Sequence, residues 1–65
     1  MTLTISKTDF IEAGGNANNF YKEYHDGEII PTAILNIVTE RYHGYGKIFS
    51  VIPDQQSEFL RVDIR

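Results

Sequence analysis

The stretch "AILNIVT", residues 33–39, decides the fold of this 65-residue chain. Ile30, Ala33, Ile34, Ile37 and Val38 recur at helical spacing. Pro31 suits the first turn of a helix, where a missing N–H costs nothing. Arg41 and His43 then lie near the negative end of the helix dipole, and Gly44 stops the helix. The competing reading is a strand, because Ile, Val and Thr favour sheets. Pro31 and the spacing favour a helix over 31–43.

Outward from this stretch, both flanks carry punctuation. "TLTIS" alternates, with Leu3 and Ile5 on one face, and predicts a strand over 2–6. Thr8 or Ser6 before Asp9 and Glu12 predicts a helix over 8–13, capped at its positive end. The run "GGNANN" from Gly14 to Asn19 reads as a joint, with a glycine closing one helix and Asn16 capping the next. The second helix is placed at 17–26, since Phe20 and Tyr24 lie four apart and Gly27 comes next. Downstream, "KIFSVI" and "EFLRVDIR" flank the turn-prone "PDQQS" and predict a hairpin with strands at 47–52 and 58–64. The expected fold class is therefore α+β in the order β-α-α-α-β-β. It is a single domain over 1–65, with three helices over a small antiparallel sheet.

Composition limits the function. A chain of 65 residues has a small core, and without cysteine it has neither a disulfide nor a thiolate metal ligand. Self-association is the usual remaining help, so a homodimer is expected. Nine acidic against six basic side chains give a net charge of −3, which goes against strong non-specific nucleic-acid binding. Lys7 and Lys22 face six acids before residue 41; the other four of the six basic residues lie from Arg41 onward. The first residues lack a signal-peptide pattern, and no apolar run approaches a membrane span. A cytoplasmic protein without a membrane partner is expected, in keeping with the absence of cysteine.

Catalytic signals are missing. The glycine pair lacks the Lys-Ser/Thr of a phosphate loop and the three spaced glycines of a dinucleotide site. His25 and His43 have no convergent set of metal ligands around them. No catalytic residue, cofactor or metal is expected, and the chain reads as a non-enzyme. Phe10, Phe20, Tyr21, Tyr24 and Phe49 read as core residues. Lys47, Phe49, Phe59, Arg61 and Arg65 read alternatively as one outward hairpin face. Such a face would serve a second subunit or stack single-stranded nucleic acid.

Three segments together carry a family resemblance: "LTISKTDF", the "GGN" joint and "GYGKIFSVIPDQQSEFLRVDI". The chain resembles the small phage repressors of the lambda Cro type over about half of its length. The resemblance implies a helix-turn-helix transcription regulator that binds duplex DNA as a homodimer. Its recognition helix would be 31–43, with Thr32, Asn36 and Thr39 facing base edges and Arg41, Lys47 and Arg61 on the DNA backbone. Phe59, Leu60 and Val62 of the last strand would form the dimer interface. The acidic balance and the lack of chemistry support a different function: an accessory or inhibitor protein of phage or mobile-element type that contacts a host protein. Its contact would be the edge of the last strand or the acidic surface of residues 9–28.

Overall fold

Leu3 and Ile5 alternate with threonines, and residues Thr2–Ser6 form strand β1. Ser6 ends the strand and caps helix α1, Lys7–Glu12, by accepting a hydrogen bond from the Asp9 amide at 3.1 Å. The computed structural model describes residues 1–42 and 46–65. Gly14 closes α1 in the left-handed conformation, at φ +96°. The Gly15 amide reaches back to Phe10 O and the Gly14 amide to Ile11 O, at 2.9 and 3.0 Å. This pair of bonds satisfies carbonyls that the helix end would otherwise leave open.

The segment after this joint overturns the three-helix expectation. Asn16 caps a single 3-10 turn, Ala17–Asn19, by accepting from the Asn18 amide at 2.9 Å. No helix continues over 17–26. Phe20 leaves the turn for the core, where it is fully buried. Tyr24–His25 then form a short strand, β2. Two forces explain the difference. Asparagines bond locally to their own backbone and propagate helices poorly. Burying Phe20 against Phe10, with ring centroids 5.6 Å apart, directs the chain toward the sheet edge.

Residues Thr32–Arg41 form helix α2. Pro31 sits at the N-cap with extended backbone, and Thr32 is the first helical residue. Ala33, Ile34 and Ile37 are the buried stripe of this helix. His43 and Gly44, where the expected helix end falls, lie outside the described residues. Strands β3 (Ile48–Asp54) and β4 (Phe59–Ile64) form the hairpin.

The sheet is antiparallel and four-stranded, in the order β1-β4-β3-β2. Among the described residues the order of elements is thus β-α-β-α-β-β, with one 3-10 turn and only one helix longer than six residues. Both helices cover the same face. Ile5, Val51, Leu60, Val62 and Ile64 of the sheet meet Phe10, Phe20, Ala33, Ile34 and Ile37 in one core. Pro53 is tolerated in β3 because β2 pairs only with Ser50 and Val51, leaving the β2-side edge open at that level.

Candidate functional site

The alternation that buries one face of the sheet exposes the other, and among the described elements no helix lies over it. Cross-strand register sorts the side chains of this bare face into rows. One row runs Thr2, Asp63, Ser50, His25. The next runs Thr4, Arg61, Ile52, and the third Ser6, Phe59, Asp54. Thr2, Ser50, Ile52, Arg61 and Asp63 line a shallow open depression of about 390 Å³.

A bulge adds an aromatic residue to this face. Ile48 pairs with Ile64 and Ser50 with Asp63, so Phe49 is the extra residue between them. Phe49 is 38% exposed, and the Arg65 guanidinium lies 3.8 Å from its ring centroid. Arg65 also donates from Nε to Asp63 at 3.2 Å. Phe59 is 40% exposed at the opposite end of β4. The face thus has a cation-capped ring at one end, a bare ring at the other, and Arg61 with Ile52 between them.

The residues expected to touch DNA do not form one surface. Thr32, Asn36 and Thr39 are exposed along the outer side of α2. Arg61 lies on the bare face, with the thickness of the sheet between it and α2. Arg41 is engaged within the chain. It donates to Asp9 at 2.6 Å and to the Thr4 carbonyl at 3.2 Å, tying α2 to α1 and to the edge of β1. Lys47 pairs with Asp26 at 2.7 Å. The helix expected to precede the recognition helix is the 3-10 turn and β2.

The residues expected at a dimer interface also separate. Leu60 and Val62 are 1% and 0% exposed, so the core of this chain already covers them; Phe59 alone of the three is available. The edge of the last strand is not free either, because β4 is central and pairs with β1 and β3. Of the acidic surface at 9–28, Asp9 and Asp26 are held by Arg41 and Lys47.

The electrostatics of the carboxylates arise from these bonds. Arg41 hydrogen-bonds Asp9 and holds its pKa below the ordinary value, while partial desolvation opposes. Lys47 does the same for Asp26. Asp54 is lowered first by the Ser57 hydroxyl, then by the Gln56 amide. Among the described residues, no group of three His, Cys, Asp or Glu side chains is placed to hold a metal ion. His25 pairs with Glu23 at 3.6 Å on the exposed sheet edge.

The sequence groups Lys47, Phe49, Phe59, Arg61 and Arg65 on one outward hairpin face, with Phe49 read alternatively as core. It does not mark Thr2, Thr4, Ile52 and His25 as their neighbours. The alternation in each strand is visible in the sequence; the strand order that sets those residues side by side is not. No helix of the described residues is long and apolar enough to cross a membrane. Comparison with known proteins adds no relative: no family model, curated protein or solved structure matches the chain.

Proposed function

We propose that this protein is a small accessory or inhibitor protein that works by protein–protein contact through the bare face of its sheet. One observation carries the proposal. The face opposite the core presents Phe49, Phe59 and Ile52 among Arg61, Arg65 and short hydroxyl side chains. The open side of an antiparallel sheet is ordinarily polar. Aromatic residues and arginine are the types enriched where protein surfaces meet. In this role the protein needs no catalytic group, cofactor or metal. A cysteine-free chain suits a cytoplasmic setting.

The test compares the wild type with Ile52→Asp and Phe59→Asp as tagged baits in a cell lysate, after melting curves establish that the variants fold. The protein held by the wild type, a second copy or a host protein, is expected to be lost from both variants. An unchanged captured set would overturn the proposal.

A duplex-DNA regulator is the second reading, and the row Thr32, Asn36, Thr39 on the exposed side of α2 favours it. Asn is well suited to adenine in the major groove. It has less support, because Arg41 and Lys47 already pair within the chain and the net charge is −3. A duplex shift assay at low and at moderate salt separates the two. A shift weakened by Asn36→Ala would favour DNA; no shift at either salt leaves protein contact.

A further inference from the structure

We infer that the occupant of the bare face is a second copy of this chain, docked face to face about a two-fold axis. This assignment rests on the contact reading of that face and names its partner.

Charge complementarity within the face is the first argument. On β3, β4 and Arg65 the bare face carries two cations, Arg61 and Arg65, and two anions, Asp54 and Asp63. The face is balanced on a chain whose net charge is −3. This face can therefore meet itself without net repulsion. Among the described residues Arg61 makes no ion pair within 4.0 Å, although Asp63 lies two residues on. The order down β4 and past its end is Phe59, Arg61, Asp63, Arg65, all on one side.

The geometry of packed sheets supplies the second argument. Aligned sheets stack about 10 Å apart with strands within about 30°. Place the two-fold between two such faces, across the strands at the level of Val62. Arg61 then falls opposite Asp63 of the second copy, and Asp63 opposite its Arg61. The same axis sets Phe59 opposite Arg65 of the second copy, a ring against a guanidinium. It sets Ile52 opposite Ser50, and Thr2 opposite Thr4. No two like charges on β4 face each other. An isologous contact requires such reciprocal pairs, and this alternating order provides them.

Size sets the strength. Strands β1, β3 and β4, of five to seven residues, and the two-residue β2 lie about 4.8 Å apart and present roughly 300 Å² in projection. A standard stable interface buries about 800 Å² per partner. The dimer is therefore weak and concentration-dependent. It covers the two exposed phenylalanines and the remaining open surface of the half-buried Ile52.

Sedimentation velocity over a concentration series tests this with the full chain. The wild type is expected to pass from monomer to dimer as concentration rises. Arg61→Asp and Asp63→Arg each set like charges opposite one another, and each alone is expected to weaken dimerisation by roughly tenfold or more. An equimolar mixture of the two variants sets an acidic pair against a basic pair, and is expected to recover the dimer. Rescue by mixing is a readout that misfolding cannot produce. A wild type that stays monomeric throughout the series overturns the inference, as does a dimer that both variants leave unchanged. If the wild type is monomeric but Phe59→Asp still abolishes capture of a host protein, the contact reading stands with a different partner. If capture is also unaffected, both fall.

Discussion

At the scale of single residues, the "GGNANNF" run, Gly14 to Phe20, explains most of the departure from the expected helices. Gly14 was legible as a helix stop, and its positive φ of 96° is why only glycine is comfortable there. Asn16 was legible as a cap. The path of the chain beyond Asn16 was not legible, because Phe20 and Tyr24 at a spacing of four mimic a helix face. In the fold both contribute to the core, one from the end of a turn and one from a strand. Gly15 has a role that spacing does not reveal. A Cβ there would lie 2.5 Å from Cε2 of Phe10, a buried ring. Gly15→Ala is expected to destabilise the protein by about 1–3 kcal/mol in chemical denaturation, through overpacking. Phe20→Ala opens a cavity beside Phe10 and is expected to cost about 3–5 kcal/mol. A cost under about 1 kcal/mol for Phe20→Ala would contradict its place in the core.

At the scale of elements, β1, β4, α2 and the first part of β3 were the legible part; Pro53 and Asp54, read as turn, end β3. Pro31 and the apolar spacing place a helix over 31–43, and the helix runs Thr32–Arg41. Period-two alternation marks the segments that become β1 and β4. Strand β2 was illegible because it has two residues, and its pairing with Ser50 and Val51 is made across the fold. So short a pairing gives its amides little protection. Hydrogen exchange is expected to be faster at Tyr24 and His25 than at Val51 and Val62; equal protection would contradict the edge position of β2. The arginine that closes the structure at Asp9 and Thr4 was expected to meet phosphate. A cation near a helix end looks free in sequence, while the acid that Arg41 meets in the fold lies 32 residues away. Asp9, Asp26 and Asp54 all have folded-state pKa values below their ordinary one. Their contribution to stability is therefore present above the unfolded value of about pH 4 and is lost as pH falls through the lower folded values. Denaturation midpoints at pH 7, 5 and 3 are expected to hold between the first two and drop at the third. Arg41→Ala is expected to flatten that drop by releasing Asp9. A midpoint that rises toward pH 3 would contradict the assignment.

At the scale of the whole molecule, the described elements form a two-layer sheet and helix arrangement and leave one side of the sheet uncovered. The described helices lie on one side only and leave a mixed, charge-balanced face with two exposed phenylalanines, and a 65-residue chain has little core to spare. A face-to-face pair converts two half-covered sheets into a four-layer body with the helices outermost. The two α2 helices then point away from each other. Such a pair cannot present both helices to adjacent grooves on one side of a duplex, as a dimeric helix-turn-helix protein does. The dimer and the DNA reading thus make opposed demands on the same molecule. The direct measurement is solvent access at the side chains themselves. Side-chain NMR signals of Phe49, Ile52 and Phe59 are monitored with a soluble paramagnetic probe as protein concentration rises, with Ile29 and Leu35, exposed and outside the strands, as internal controls. The first three are expected to become shielded while Ile29 and Leu35 stay open. Shielding of Ile29 and Leu35 with the sheet face left accessible would contradict the face-to-face pair.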